Sequence, residues 1–298
     1  DMAVRYLEDA RTNLEMFERC GRNILIGYRN LADRNRVELL TTAATHAYLP
    51  IYKSHPTAIK AQVVTGLKTH ERVFGQTAKG FWLPECGYYP GLDKVLYDNG
   101  VLWCQLASHS VISARDKSLY GGYKPVRLPS GLFGFPRDWS LTSLIWSSVS
   151  GYPCDSDNRD FYRDIGYYLP IEYVRPYIHE PEVRVFTGYK YHAVTGKTED
   201  KRYYDYRKAM SKTALHVENY IYSIERKGLA LETCGIKDPI FNLCFDAELF
   251  GHRWYEGIKF LDLFLRRGME CKDIAFTTPT MSILDGNEYD NLYVNECS

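Results

Sequence analysis

The sequence lacks a surplus of charge of either sign. Its 298 residues contain 37 Lys and Arg and 37 Asp and Glu, which leaves a formal net charge of zero. A protein that binds nucleic acid needs a basic surface to neutralise phosphates. The composition therefore gives no reason to expect nucleic acid or another polyanion as a partner, and a neutral polymer fits it better.

Long apolar runs and regular cysteine patterns are also missing. No segment approaches the roughly 20 apolar residues that cross a bilayer, and the charged, amphipathic segment 1–20 is unlike a signal peptide. The eight cysteines include no CxxC pair of the kind that zinc sites use. We therefore expect reduced thiols, no metal or other cofactor, no membrane partner and a cytoplasmic location. Because the first residue is Asp1 rather than Met, we expect residues upstream to have been removed or not included.

What the sequence does contain is an alternation of apolar, β-rich runs with helical patterns. This order is typical of parallel strands separated by crossover helices. A chain of this length with 45% apolar residues can bury one large core. We therefore expect one α/β domain over residues 1–298, with loop or helical insertions at about 111–140 and 150–230. The predicted strands are 37–43, 80–83, 101–107, 141–146, 241–245 and 274–277. The predicted helices begin at Pro56 and Pro90 and cover 206–226 and 254–267.

Glu85 stands where the predicted strand 80–83 must end, in the segment FWLPECGY at 81–88. Pro84 cannot donate a hydrogen bond to a sheet, and Gly87 permits a turn. Barrel enzymes place their catalytic groups at such strand ends. A Glu that pairs with an Arg or caps the next helix is the structural alternative, and this segment alone leaves both open.

A second acidic segment follows the apolar run 240–245, which is typical of a buried parallel strand. A charge at its end is costly unless it is used or paired. Strand alternation places Asp246 and Glu248 on the same side, so either could be an acid on spacing alone. Two carboxylates at separate strand ends suit glycosidic cleavage, in which one attacks or stabilises the anomeric carbon and the other protonates the departing oxygen. A structural ion pair is the alternative.

Histidine and tryptophan side chains near these strand ends are candidates for binding sugar. His46 follows the predicted strand 37–43, and His252 follows the acidic segment; either could bond a hydroxyl or have a structural role. Tryptophan offers a flat apolar face to sugar C–H groups, although any single one is more commonly a core residue. The five tryptophans are Trp82, Trp103, Trp139, Trp146 and Trp254.

Taken together, these segments resemble glycoside hydrolase family 57, and within it the 1,4-α-glucan branching enzyme group. The matches occur in the same order along nearly the whole chain. The matching segments are VELL at 37–40 with ATH at 44–46 and LP at 49–50, WLPEC at 82–86, GYPCD at 151–155 with FYRDIG at 161–166, and FDAELFGH at 245–252.

The resemblance implies a distorted (β/α)7 barrel that acts on α-1,4-glucan by a retaining mechanism. It assigns Glu85 as the nucleophile and Asp246 as the general acid/base. It gives His46 a sugar-binding role near the cleaved bond and places Trp146 in the acceptor region. The expected substrate-binding residues are His46, Trp82, Trp146, Glu248, His252 and Trp254.

The chain departs from the family pattern at both ends. The His-Gln-Pro strand end near the family's N-terminus is absent, and the chain stops at Ser298, where a Trp-Gly motif and a helical domain would follow. We therefore expect a catalytic barrel that is incomplete at its N-terminus. The segment 110–122 is also short for the lid of a branching enzyme, which favours hydrolysis or 4-α-glucan transfer.

The expected function is α-glucan branching in glycogen or starch metabolism, with an α-glucan as partner. An α-amylase and a 4-α-glucanotransferase are alternatives, because the same two carboxylates serve all three reactions. A catalytically weak glucan-binding remnant is an alternative of another class. A metal-dependent deacetylase would need two histidines at i, i+4 spacing, and no pair among the eight histidines has it.

Overall fold

The computed structural model describes residues 1–180 and 183–298. Within them the α-helices are α1 Met2–Arg19, α2 Ile24–Asp33, α3 Pro56–Phe74, α4 Leu92–Asp98, α5 Ser108–Ile112, α6 Trp139–Trp146, α7 Ile165–Tyr168, α8 Ile171–Val174, α9 Tyr206–Thr233, α10 Gly257–Glu270 and α11 Pro279–Leu284. The strands are β1 Thr41–Thr42, β2 Gly80–Trp82, β3 Trp103–Leu106, β4 Val126–Arg127, β5 Phe133–Pro136 and β6 Asp290–Asn291.

The strands form one mixed sheet in the order β1-β2-β3-β5-β4-β6. Neighbours in the run β1, β2, β3 and β5 are parallel, whereas β4 is antiparallel to β5. Parallel strands place their carboxyl ends at one edge of a sheet. The loops that follow β1, β2 and β3 therefore leave the same edge, which we call the carboxyl edge.

The chain packs into two compact units. The sheet unit comprises Glu15–Trp139, Gly228–Cys244 and Phe276–Ser298, and the helical unit comprises Asp1–Leu14, Ser140–Lys227 and Phe245–Ala275. All six strands lie in the sheet unit. Most of the predicted insertion at 150–230 lies in the helical unit.

The core of the sheet unit forms between α3 and the first strands. Ile59 and Val63 of α3 are at most 1% exposed, as is Phe81 of β2. Further along the same helix face, Gly66 allows close packing, because a Cβ atom there would lie 2.2 Å from the Thr42 carbonyl oxygen. Helix α3 packs directly against β1 and so fixes the position of the loop that follows β1.

The helical unit has its own core, which is rich in aromatic side chains. Trp254 and Phe260 have ring centroids 5.0 Å apart, and Tyr220 packs edge-on to Phe260 at 5.7 Å. The buried Glu256 accepts hydrogen bonds from the Tyr204 hydroxyl at 2.6 Å and from a backbone N–H. Burial raises the pKa of this carboxyl.

The α/β class predicted from the sequence is confirmed, and several elements fall where they were expected. Strands β2 and β3 lie within the predicted runs 80–83 and 101–107. Helix α3 begins at Pro56 as predicted. Helix α4 begins at Leu92, two residues after the predicted start at Pro90, and ends at Asp98. Helix α9 begins at Tyr206 as predicted but continues to Thr233.

Other predicted elements are wrong. The segment 141–146 is part of helix α6 rather than a strand, since a short segment of mainly apolar residues suits either structure. The segment 241–245 contributes one bridge, between Asn242 and Arg137, and 274–277 forms no strand. Helix α10 begins at Gly257 and ends at Glu270, so it is shifted by three residues from the predicted range 254–267. Strands β4 and β5 lie in a segment expected to be loop.

We predict that Gly66→Ala lowers the free energy of unfolding by about 1–3 kcal/mol, because the new methyl group must displace the backbone of β1. Gly228→Ala is the matched control, since Gly228 is also helical and no described atom lies within 4 Å of a Cβ there. Alanine at that position should stabilise by up to about 1 kcal/mol. Denaturant titration measures both changes. Equal effects of the two substitutions would contradict the packing argument.

Candidate active site

The loop after β1 is anchored on α3 and presents His46. The side-chain oxygen of Gln62 on α3 accepts a hydrogen bond from the Thr45 backbone N–H at 3.0 Å. The backbone carbonyl oxygen of Gln62 accepts one from the Ala44 N–H at 3.1 Å. His46 then has φ of +53°, in the left-handed region. Its side chain is 57% exposed at the carboxyl edge. The loop therefore fixes the backbone and leaves the imidazole available to a ligand.

The turn after β2 holds Glu85 in the left-handed backbone conformation, which residues other than glycine rarely adopt. Pro84–Cys86 forms a 3-10 turn, and both Glu85 and Cys86 have positive φ, at +54° and +56°. Such a conformation costs roughly 1–3 kcal/mol for each residue other than glycine and persists where the surroundings impose it. Strain of this kind is concentrated at functional sites.

Neighbouring segments hold this turn from two sides. A Cβ atom at Gly87 would lie 2.5 Å from the Tyr48 ring, so only glycine lets the β1 loop approach this closely. On the other side, Tyr88 and Cys297 exchange two backbone hydrogen bonds, at 2.8 and 3.0 Å. The Cys297 thiol also donates to the Cys86 carbonyl oxygen at 3.5 Å. The strained turn is thus clamped between the β1 loop and the segment around Cys297.

The two loops bring His46 and Glu85 together. The imidazole Nε2 lies 3.8 Å from a carboxylate oxygen of Glu85, and that carboxylate is 77% exposed. Trp82, at the end of β2, is half-buried, and its carbonyl oxygen accepts the Thr42 hydroxyl at 2.9 Å. An exposed carboxylate beside an exposed histidine at the carboxyl edge is compatible with the roles predicted for these two residues, which stay predictions.

A side-chain network in the sheet unit fixes the segment that leads to Asp246. The Asn242 amide donates to the Gln105 side-chain oxygen at 2.9 Å and to the Phe135 carbonyl oxygen at 3.0 Å. Gln105, on β3, donates to that same carbonyl at 2.9 Å. Sequence analysis missed this network, although an Asn and a Gln within apolar strand-like runs were a usable clue. The chain reaches Asp246 four residues after this anchor.

Asp246 and its neighbours lie in the helical unit. Asp246 directly precedes the 3-10 turn Ala247–Leu249, and both it and Glu248 are exposed. His252 is exposed as well, and its ring packs edge-on to Phe161 at 5.2 Å. Because Glu85 belongs to the sheet unit and Asp246 to the helical unit, the convergence of the two carboxylates stays a prediction, as do the roles of Glu248 and His252.

The tryptophans of the helical unit differ in exposure. Trp146 ends α6 and is 39% exposed, which is compatible with the predicted acceptor role. Trp254 is 1% exposed inside the aromatic core, so its faces are covered by other side chains. The structure does not support Trp254 as a platform for sugar, and we leave it out of the proposed site.

Two features of the described residues bear on other classes of protein. Within residues 1–180 and 183–298, no group of three or more His, Cys, Asp or Glu side chains is arranged to hold a metal ion. None of the helices in that part of the chain combines the length and the apolar character of a membrane span.

Known proteins resemble both the sequence and the fold. The family model for glycosyl hydrolase family 57 matches residues 7–218. The chain therefore belongs to glycosyl hydrolase family 57, which confirms the resemblance seen in the sequence.

Individual relatives agree with this assignment. The chain is 30% identical over 287 residues to a 1,4-alpha-glucan branching enzyme of Thermococcus kodakarensis, covering 85% of the chain and 38% of the relative. It is also 30% identical over 293 residues to a probable 1,4-alpha-glucan branching enzyme of Mycobacterium tuberculosis, covering 95% and 49%. The chain thus spans about half or less of the length of these curated relatives.

A solved structure resembles the fold closely. The crystal structure of an alpha-amylase from Thermotoga maritima is similar with a TM-score of 0.95 and 37% identity, covering 100% of this chain and 58% of that one. The similarity extends over the whole of this chain and agrees with the α/β fold described above.

We predict that Glu85→Gly is more stable than Glu85→Ala by about 1 kcal/mol, because glycine adopts the left-handed conformation without steric cost. Both variants remove the carboxylate, so their difference isolates the backbone. Thermal or denaturant unfolding of the pair measures it. If the alanine variant is the more stable one, the turn does not carry the strain described here.

Proposed function

We propose that the protein is a retaining enzyme acting on α-1,4-glucan, and that its main reaction is transfer of a glucan chain to form an α-1,6 branch. Family membership and the names of both curated relatives support this proposal. The observation that carries it is Glu85, an exposed carboxylate held in a strained turn at the carboxyl edge, 3.8 Å from His46. A cytoplasmic location belongs to the same proposal.

In the first step, Glu85 attacks the anomeric carbon. The glycosidic C–O bond breaks as an ester bond to Glu85 forms, and Asp246 donates its proton to the departing oxygen. His46 bonds a hydroxyl of the sugar that is attacked, and Trp82 contacts the same region. A turn that already points the Glu85 carboxylate outward lowers the cost of orienting it.

In the second step, Asp246 acts as the base. It takes a proton from the 6-hydroxyl of a second glucan, and that oxygen attacks the anomeric carbon and displaces Glu85. Trp146 is proposed to hold this acceptor. If water attacks instead, the product is a shortened chain. The balance depends on how well the acceptor is held and water is excluded, rather than on the two carboxylates.

We predict that Glu85→Gln abolishes covalent labelling by a mechanism-based fluorinated glucoside, because an amide cannot form the glycosyl ester. Mass spectrometry of the intact protein measures the adduct, and peptide mapping locates it. Glu71→Gln, at an exposed position on α3, is the matched control and should label like the parent. Labelling that persists in Glu85→Gln would disprove the nucleophilic role.

We predict that Asp246→Asn slows cleavage of natural glucan by about 10²- to 10⁴-fold, the contribution typical of general acid–base catalysis. The loss in the glycosylation step should be much smaller on an aryl maltoside with an acidic phenol, because that leaving group needs no proton. Pre-steady-state phenol release measures the step. Glu248→Gln is the control; if it shows this dependence on the leaving group instead, the acid has been misassigned.

Hydrolysis is a second candidate function, because the solved structure with a TM-score of 0.95 is described as an alpha-amylase. The products on amylose decide between the two. Branching should create α-1,6 linkages, seen by NMR, with little gain in reducing ends. An increase in reducing ends without new branches would show that the enzyme hydrolyses amylose as an amylase does. Linear chains of altered length without new branches would indicate 4-α-transfer.

A further inference from the structure

A pocket on the sheet unit lies away from Glu85. Its volume is about 460 Å³, within the range of roughly 300–1,000 Å³ that is usual for small-molecule sites. The residues that determine its chemistry and shape belong to α4, to the ends of β4 and β6 and to the loops that follow these strands. These residues are Tyr97, Arg127, Ser130, Gly131, Asn291 and Tyr293.

The topology places this pocket at the opposite edge of the sheet from the carboxyl edge. Strand β4 is antiparallel to β5, so Arg127 at the end of β4 lies beside Phe133 at the start of β5. Strand β6 is parallel to β4 and pairs Asn291 with Arg127. The pocket therefore lies where the parallel strands begin, whereas Glu85 and His46 lie where they end.

Buried hydrogen bonds hold the pocket in shape. Asp93, 4% exposed, accepts the Ser130 backbone N–H at 3.2 Å, the Gly91 N–H at 3.0 Å and the Tyr88 hydroxyl at 3.2 Å. The Tyr97 ring rests against Gly131, where a Cβ atom would lie 3.1 Å from it. The wall formed by Tyr97 is thus fixed before any ligand arrives.

The lining has the chemistry that suits a neutral sugar. Tyr97 and Tyr293 are 46% and 53% exposed, so each offers part of an aromatic ring to sugar C–H groups. Arg127 and Asn291 are exposed and supply hydrogen-bond donors and an amide acceptor for hydroxyls. None of the lining residues is acidic.

We propose that this pocket is a second glucan-binding site, which holds a segment of the polymer remote from the bond that is cleaved. The proposal rests on the proposed function, since an enzyme of a long glucan gains effective concentration from a second attachment point. We call it the amino-edge site. It would bind polymer and contribute nothing to short substrates that reach only Glu85.

The test is affinity electrophoresis in gels containing amylopectin, with every variant in a Glu85→Gln background so that the glucan stays intact. The double variant Tyr97→Ala, Tyr293→Ala should bind amylopectin about tenfold more weakly than its parent, as expected for loss of aromatic anchors. Tyr97→Phe with Tyr293→Phe keeps the rings and should bind within about threefold of the parent. Tyr222→Ala, an exposed tyrosine on α9 outside the pocket, is the control and should match the parent.

Several outcomes would overturn the amino-edge site. One is that the double alanine variant is retained as strongly as its parent, and another is that the parent is not retained at all. A third is that 0.5 M salt abolishes the retention, because salt screens the attraction between Arg127 and an anion but does not weaken contacts with a neutral sugar. With Glu85 intact, the double alanine variant should keep its rate on a short aryl maltoside and lose kcat/KM on amylopectin alone. Covalent labelling of Glu85 is scored separately, so failure of the pocket and failure of the proposed function can be told apart.

Discussion

The candidate site depends on one backbone constraint, the left-handed turn at Glu85 and Cys86. Both residues carry a Cβ atom, so this conformation is sterically unfavourable for them, and the packing of the sheet unit must offset that cost. Gly87 admits the Tyr48 ring on one side, and the paired backbones of Tyr88 and Cys297 close the other. The result is a carboxylate that projects from the carboxyl edge without a flexible loop to carry it.

The same constraint explains why His46 meets Glu85. The β1 loop is pinned to α3 through Gln62, and α3 seats on β1 because Gly66 has no side chain. A change in the α3 face would therefore move His46 relative to the Glu85 turn. The segment toward Asp246 has an anchor of its own in Asn242 and Gln105. Within the sheet unit, contacts away from the carboxyl edge thus hold the Glu85 turn, and a separate network anchors the segment that ends at Cys244.

The sequence predicted local features correctly where a residue type restricts the backbone in one way only. Pro56 and the apolar spacing after it predicted α3, and Pro84 with Gly87 predicted the end of β2 before Glu85. It failed where a short, mainly apolar segment fits two structures, as in 141–146, which is helical in α6. Sequence cannot tell a tryptophan in the core from one at a binding surface, and only the structure shows that Trp254 is buried in the core.

Tertiary contacts between distant segments were beyond reach of the sequence. No pattern near Glu85 indicated that Cys297 would pair with Tyr88, or that Tyr97 and Tyr293 would share a pocket. The members of these pairs are 209 and 196 positions apart in the sequence, and only the folded sheet brings them together. The family resemblance supplied the proposed roles of Glu85 and Asp246, whereas the structure shows how the backbone at Glu85 is held.

The most direct test of the account is the configuration of the first product. Proton NMR at the start of the reaction on a maltooligosaccharide shows the configuration at the attacked anomeric carbon. It reads this carbon in the 1,6-linkage formed by transfer and, where water is the acceptor, in the new reducing end before mutarotation mixes its anomers. Attack by Glu85 followed by a second displacement predicts that the α-anomer appears first. If the β-anomer appears first, the reaction is a single inversion, and the nucleophilic role of Glu85 is contradicted.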